Sequence, residues 1–123
     1  MCGICGVIGS EQTGAVKSMV TAMHHRGPND RGEIKLSSAT LGMARLAVID
    51  LTDAGHQPMS NDEKSVWIST NSEIYNYQEL RKSLLKRWSF KTNGDTEVLL
   101  AGLLLEGVGF LNKINGMWAF VLW

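Results

Sequence analysis

The N-terminal stretch MCGICGVIGS carries two cysteines, Cys2 and Cys5, separated by two residues. Cys2 directly follows Met1 and is small enough for the aminopeptidase that removes an initiator methionine. Removal would leave a free α-amine on the residue that carries the thiol. An α-amino group has an intrinsic pKa of about 7.7–8.0, so near neutral pH it can accept the thiol proton. Cys2 is therefore a candidate nucleophile that supplies its own base, and its thiolate could attack a carboxamide to give a thioester.

Two other interpretations of the cysteines are weaker. A structural zinc site usually needs two ligand pairs, whereas the chain has no second CxxC, and His24, His25 and His56 are wrongly spaced. A thioredoxin-like CxxC would follow a strand and begin a helix, whereas this motif begins at the second residue of the chain. We expect no metal and no cofactor, and we interpret Cys5 as an inert, buried strand residue. The histidines are interpreted as loop or packing residues.

Length and composition are typical of one globular domain. The chain has 123 residues, 44% hydrophobic and 20% charged, which is enough for a buried core. Twelve basic and 12 acidic residues cancel, so neither nucleic acid nor an anionic membrane is the expected partner. The apolar runs are too short to cross a bilayer, and the N-terminus lacks the pattern of a secretory signal. We predict a cytoplasmic protein with reduced thiols.

The elements that would position these residues are short and separated by turn signals. ICGVI predicts a buried first strand. A stripe of apolar residues at helical spacing then predicts a helix packed on the core, with Val16, Met19, Val20 and Met23 inward. HHRGPNDRG is predicted to be a loop. Strands are expected near GEIKL, TLGMARLAVI and SVWIST, as antiparallel neighbours, with NDEK as a polar turn.

The second half of the chain predicts two helices and a final strand. QELRKSLLKRW predicts a helix that buries Leu80, Leu84, Leu85 and Trp88. After a TNGD turn, TEVLLAGLLLE predicts a second helix that stops at Gly107. GMWAFVLW predicts a continuously apolar strand, which needs cover on both faces and a neighbour along its edge. We therefore expect either a domain cut short or another subunit against this strand.

Motifs along the whole chain resemble the glutaminase domain of glutamine-dependent asparagine synthetases. In order, they are MCGICGVIG, HRGPND, RLAVIDL, GHQPM, NSEIYNYQELR, TNGDTEVLL and NGMWAFVLW. These enzymes are class II glutamine amidotransferases of the N-terminal nucleophile hydrolase group. The resemblance implies an α+β fold, a four-layer αββα sandwich of mainly antiparallel sheets, here incomplete at the C-terminus. It makes residues 1–123 a partial glutaminase domain, with the synthetase domain absent.

The resemblance implies a role for each matching residue. Cys2 matches the nucleophile, and its amine serves as the base. Asn71 matches the amide of the oxyanion hole, and the backbone N–H of Ser72 is the second donor. Arg45 matches the arginine that binds the glutamine α-carboxylate through its planar fork of donors, and Asp95 matches the acid that pairs with the α-ammonium group. The other implied substrate-binding positions are Leu46, Ala47, Val48, Ile49 and Glu73.

Some of these positions have plainer interpretations without the resemblance, and two depart from it. Taken alone, Arg45 would be a solvated strand residue and Asp95 a helix N-cap. Ser72 stands where the family has glycine, and its β-carbon disfavours a positive φ and obstructs close approach of substrate. If the site requires that conformation, loss of one oxyanion donor would raise the barrier by about 2.7–4 kcal/mol. Asn29 replaces the usual aspartate in a loop and carries less weight.

The leading hypothesis is hydrolysis of the glutamine amide through a Cys2 thioester, releasing ammonia for a separate amidating synthase such as that of asparagine synthesis. The expected partners are L-glutamine and a separate ATP-dependent synthetase subunit, and a homo-oligomer would cover the C-terminal strand. The alternative is a catalytically impaired module that binds glutamine or another protein, on the grounds of Ser72 and the missing strands. A fragment of a longer gene product is the third interpretation.

Overall fold

The computed structural model describes residues 1–9 and 13–123. Its helices and strands, in chain order, are β1 (Gly3–Ile8), α1 (Thr13–Ala22), β2 (Asp30–Lys35), β3 (Ala39–Arg45), β4 (Met59–Ser60), β5 (Trp67–Ile74), α2 (Tyr77–Leu84), α3 (Asp95–Glu106) and β6 (Gly116–Leu122). Short 3₁₀ turns span Asp53–Gly55 and Gly107–Lys113.

The first sheet has the order β1-β3-β2, and both of its strand pairs are antiparallel. The central strand β3 is buried along its whole length. Helix α1 covers this sheet through Val16 and Val20, which are 0% and 6% exposed. The helix lies close because β3 has a glycine beneath it. A β-carbon at Gly42 would come within 2.6 Å of the methyl groups of both valines.

The second sheet has the order β4-β5-β6 and is also antiparallel. Its core packs Ile68 and Ile74 of β5 against α2 and α3, together with Phe110 from the 3₁₀ turn after α3. The long apolar run of α3 is buried from Asp95 to Leu103. Burial of this kind contributes about 25 cal/mol per Å² of apolar surface removed from water. This half of the core therefore holds β5 and the start of α3 against each other.

The two sheets lie against each other, with β1 and β3 both in contact with β5. Helix α1 contacts the first sheet, and α3 contacts the second. The order of layers is therefore helix, sheet, sheet, helix. The predicted α+β class with mainly antiparallel sheets is confirmed, as an incomplete sandwich of the N-terminal nucleophile type.

Strand boundaries differ from the sequence prediction on either side of β3. The predicted strand TLGMARLAVI ends at Arg45, and the predicted loop HHRGPNDRG already contains the start of β2 at Asp30. Arg45 is the last paired residue because the Leu46 N–H is bonded to the Cys2 sulfur and the Ala47 N–H to the Asn29 side chain. The segment after Arg45 is thus a loop, and SVWIST belongs to the other sheet rather than neighbouring β3.

Two predictions of burial were wrong. Leu85 is 55% exposed, because α2 ends at Leu84 and consecutive helical residues do not share a face. Met19 is 40% exposed, since the buried stripe of α1 is narrower than its apolar pattern. Strand β6 was expected to lack part of its cover within this chain, and among the described residues its Met117 and Trp118 side chains are 54% and 41% exposed. What covers them stays a prediction.

Candidate functional site

A cavity of about 90 Å³ opens where the N-terminus, the loop after β3, strand β5 and the start of α3 meet. Most of the residues that the sequence predicted for the site line it: Cys2, Arg45, Leu46, Val48, Ile49, Asn71, Ser72, Glu73 and Asp95. Ala47 does not. Its backbone N–H is instead bonded to the side-chain oxygen of Asn29 at 3.1 Å, which helps to fix the loop.

Cys2 lies half-buried just before β1, and its sulfur contacts the backbone of Leu46. The Leu46 N–H donates to the sulfur at 3.3 Å, and the sulfur lies 3.7 Å from the Leu46 carbonyl oxygen. The guanidinium of Arg26 donates to the Cys2 carbonyl through two nitrogens, each at 3.4 Å. Met1 also lines the cavity. While Met1 is attached, the nitrogen of Cys2 belongs to a peptide bond and cannot act as a base.

Arg45 is buried at the end of β3, only 7% exposed, and is not the solvated strand residue that its position alone suggested. Its guanidinium donates to the Thr52 carbonyl at 3.1 Å and also to the Asp50 carbonyl. These contacts close the loop after β3 around the side chain. An arginine has five N–H donors, so three are left after these two bonds. The guanidinium is thus held in place at the cavity with donors to spare.

Gly55 makes room for this arrangement. A β-carbon at this position would overlap the Arg45 guanidinium. Gly55 is buried in the 3₁₀ turn that follows the loop. Gly55 was not predicted to have a role, because the need for a glycine comes from the side chain of Arg45, ten positions earlier.

Asn71 and Ser72 are consecutive residues in the middle of β5, paired with Ala119 and Trp118 of β6. Ser72 therefore has ordinary extended backbone. Among residues 1–9 and 13–123, the non-glycine residue with a positive φ is Lys64, at 53°. The strained conformation considered for Ser72 is absent from this strand. Its β-carbon costs no backbone strain here, and its N–H is retained.

Asp95 is the first residue of α3, and the N-cap position belongs to Gly94. The N-cap interpretation of Asp95 was therefore wrong. Its carboxylate reaches across to β5, where one oxygen accepts the Ile74 N–H at 3.0 Å and the Ser72 hydroxyl at 3.3 Å. Burial raises the pKa of Asp95 above its usual range, and the nearby Glu73 carboxylate raises it further, against the lowering effect of the hydrogen bonds.

Asp50 was not predicted as a site residue, although it lines the cavity and is 7% exposed. Its carboxylate accepts the Thr52 hydroxyl at 2.6 Å, the Thr52 N–H at 2.9 Å and the Asn93 N–H at 2.8 Å. The hydrogen bond from the Thr52 hydroxyl, followed by the two backbone bonds, lowers the pKa of Asp50. Asp50 therefore stays ionised and ties the loop after β3 to the turn before α3.

Gln57 is a second cavity residue that was not predicted from the sequence. It is 4% exposed and joins two elements: its side-chain oxygen accepts the Thr70 N–H at 2.7 Å, and its side-chain nitrogen donates to the Thr96 hydroxyl at 3.2 Å. All three residues line the cavity. The motif GHQPM held the only signal for it, and nothing in that motif alone indicates a bridge between β5 and α3.

Cys5 and the histidines lie elsewhere. Cys5 is half-buried in β1, its sulfur is 4.0 Å from the Val16 carbonyl oxygen, and burial raises the pKa of its thiol. His24 contacts the Arg31 side chain, and His56 lies 2.7 Å from the Asp30 carboxylate. In the part of the chain that the structure describes, no group of three or more His, Cys, Asp and Glu side chains could hold a metal ion. No helix there is long and apolar enough to span a membrane.

The cavity combines one thiol with charged groups of both signs. Arg45 supplies a guanidinium, while Asp50, Glu73 and Asp95 supply carboxyl groups. A guanidinium suits a carboxylate ligand, and a carboxylate suits an ammonium group. Such a lining is complementary to a zwitterion such as a free amino acid, and the Cys2 thiol lines the same cavity.

The family model for the glutamine amidotransferase domain matches residues 1–123. The chain belongs to this family. Its relatives include asparagine synthetase [glutamine-hydrolyzing] 1 of Bacillus subtilis, 38% identical over 131 residues that cover 100% of this chain and 21% of the relative. Asparagine synthetase B [glutamine-hydrolyzing] of Escherichia coli is 39% identical over 129 residues, covering 100% of this chain and 23% of the relative.

A relative with a different name is amidase chyE of Penicillium rubens, which is 35% identical over 99 residues, or 80% of this chain and 15% of the relative. The chain thus spans less than a quarter of the length of these relatives. The two asparagine synthetases match the whole chain, which includes the residues that line the cavity.

Proposed function

We propose that this chain hydrolyses the side-chain amide of glutamine, with Cys2 as the nucleophile. The observation that carries the proposal is a cavity lined by the Cys2 thiol, the Arg45 guanidinium and the Asp95 carboxyl group, in a chain of the glutamine amidotransferase family. Arg45 binds the α-carboxylate of glutamine, and Asp95 binds its α-ammonium group. Glu73 and the loop residues Leu46, Val48 and Ile49, which also line the cavity, complete the binding site.

The reaction requires removal of Met1, which converts the nitrogen of Cys2 into a free amine. The amine accepts the thiol proton, the sulfur attacks the amide carbon, and a carbon–sulfur bond forms as the carbonyl oxygen becomes negative. The Asn71 side-chain amide and the Ser72 N–H donate to this oxyanion. The proton then passes to the departing nitrogen, ammonia leaves, and water hydrolyses the thioester to glutamate and a free thiol.

The destination of the ammonia is proposed from the relatives. Those named asparagine synthetase [glutamine-hydrolyzing] match this chain over 21% and 23% of their own length. We infer that the ammonia is used by an ATP-dependent amidating synthetase, and that the reaction takes place in the cytoplasm, where the free thiols of Cys2 and Cys5 stay reduced.

An ammonia-release assay with two matched cysteine variants tests the hydrolysis. Cys2→Ala should abolish ammonia release from glutamine, because it removes the nucleophile. Cys5→Ala is the control, since Cys5 lies in β1 outside the cavity, and it should retain activity. Hydroxylamine added to the active protein should be converted to the γ-glutamyl hydroxamate, as expected for a thioester. Glutamine binding by calorimetry without any ammonia release would instead support the binding-module alternative.

A further inference from the structure

The side chain of Ser72 adds a contact to Asp95 that a glycine could not make. Its hydroxyl donates to the Oδ2 atom of Asp95 at 3.3 Å. The Ile74 N–H donates to the same oxygen at 3.0 Å. Both bonds come from β5, whereas Asp95 begins α3. Ser72 thus joins the strand that carries the proposed oxyanion donors to the carboxylate proposed to bind the α-ammonium group.

The two bonds have a geometric consequence. Because both fall on Oδ2, the carboxylate is fixed by two donors on one side, and Oδ1 is left without either of them. A fixed carboxylate loses less conformational freedom when it binds a cationic ligand. Asp95 is 7% exposed, so little water is available to perform the same task.

The surroundings of Asp95 disfavour its ionised form, and a hydroxyl donor opposes that effect. Burial and the Glu73 carboxylate both raise the pKa of Asp95, which favours the neutral form that binds ammonium poorly. From the loop after β3, Arg45 and Asp50 face the same cavity with opposite charges. Beside Asp95, the cavity is also lined by uncharged residues: Thr92 and Gly94 before α3, and Thr96 in its first turn. A hydroxyl that donates to the carboxylate favours its ionised form.

We propose that Ser72 is a positioning residue, whose hydroxyl holds the Asp95 carboxylate ready for the α-ammonium group of the substrate. The inference rests on the proposed function, because it names a determinant of specificity for α-amino acids within that site. Ser72 therefore has a second role beside the oxyanion N–H, and this role belongs to its side chain.

The test compares Ser72→Ala with Ser72→Thr on two substrates. Alanine keeps the β-carbon and the N–H but lacks the hydroxyl, and threonine keeps the hydroxyl and suits a strand. Ser72→Ala should raise KM for glutamine about three- to tenfold, the worth of one hydrogen bond, with the smaller change in kcat. It should leave KM unchanged for glutaric acid monoamide, which has the amide and carboxylate of glutamine but no α-ammonium group. Ser72→Thr should restore the KM for glutamine.

A second measurement does not depend on turnover. The carboxyl carbon of Asp95, followed by NMR in the free protein, should titrate at a higher pH in Ser72→Ala than in the wild type and in Ser72→Thr. An unchanged midpoint, or an equal rise in KM for both substrates, overturns the inference even if glutamine is hydrolysed normally. If the wild type neither binds nor hydrolyses glutamine, the proposed function fails, whereas a shifted midpoint would still establish the contact between Ser72 and the ionised carboxylate.

Discussion

The backbone N–H of Leu46 donates a hydrogen bond to the sulfur of Cys2 at 3.3 Å. This contact joins residues 44 positions apart in the chain and brings the N-terminus to the loop that follows β3. Arg45, the residue before Leu46, is buried at the same cavity. The segment Arg45–Leu46 therefore positions both the proposed nucleophile and the proposed carboxylate-binding group. Changes in the loop that follows should alter the binding of substrate.

Gly55→Ala should weaken glutamine binding without touching the thiol. The new methyl group would overlap the Arg45 guanidinium, which is held by the carbonyl groups of Asp50 and Thr52 and has little freedom to move. Loss of a charge-assisted hydrogen bond costs about 1.5–3 kcal/mol, so KM for glutamine should rise about ten- to a hundredfold in the ammonia-release assay. Gly109→Ala is the control, because a β-carbon there meets nothing within 4 Å. An unchanged KM in folded Gly55→Ala would contradict the role of Arg45.

Asp95→Asn should separate stability from binding. The folded-state pKa of Asp95 is raised, chiefly by burial, so its contribution to stability is present at low pH and is lost as the pH rises through that pKa. At pH 7 the ionised carboxylate therefore destabilises the folded chain. Asparagine removes the charge and can still accept the Ile74 N–H, so urea unfolding at pH 7 should show equal or greater stability, while KM for glutamine rises by about tenfold or more.

The comparison for that variant is Asp62→Asn, since Asp62 is exposed and pairs with Lys91 away from the cavity. It should change neither KM nor stability by much, because an ion pair between two exposed side chains is screened by water and contributes little. Lower stability at pH 7 together with unchanged glutamine binding in Asp95→Asn would show that Asp95 is structural and not a ligand of the substrate.

Asp50→Asn should destabilise the protein, and its dependence on pH should be opposite to that of Asp95→Asn. The pKa of Asp50 is lowered, first by the Thr52 hydroxyl and then by the backbone N–H groups of Asn93 and Thr52. Its stabilising effect is therefore present above the ordinary aspartate pKa of about 3.9 and is lost as the pH falls through the lowered folded-state pKa. The loss should be about 1–3 kcal/mol at pH 7.

Denaturant titrations of the wild type and Asp50→Asn between pH 7 and pH 2 would measure this difference. The gap between the two proteins should be constant down to about pH 5 and then narrow. Asp53→Asn is the matched control, because Asp53 is exposed at the start of the 3₁₀ turn that follows. A gap that widens as the pH falls would be incompatible with a stabilising, ionised Asp50.

The sequence was sufficient for elements whose pattern is local. The apolar run of α3 and its end at Gly107, where φ is 69°, follow from helix periodicity and the tolerance of glycine for positive φ. Strand β1 and the polar turn before β5 were predicted for similar reasons. The αββα order came from the resemblance of motifs and not from the apolar pattern, which predicts elements but not how the sheets face each other.

The missing parts depend on contacts between distant residues. The apolar segment after Arg45 looks like a continued strand, and only its bonds to Cys2 and Asn29 make it a loop. Asp50 and Gln57 also carry no signal in the sequence, because the bonds that join them across the cavity, such as that from the Asn93 N–H to Asp50, link distant parts of the chain. The resemblance was enough to name most of the residues that line the cavity. Their burial and their hydrogen bonds could not be predicted, because both depend on contacts between distant segments.

The central claim is that Cys2, freed of Met1, forms a bond to the γ-carbonyl carbon of glutamine. Intact-mass and peptide analysis of protein quenched in acid during turnover tests it most directly. We expect a chain that begins at Cys2 and carries one γ-glutamyl group on the sulfur of that residue. Ammonia release from a chain that keeps Met1, or with no acyl group on Cys2, would contradict the mechanism.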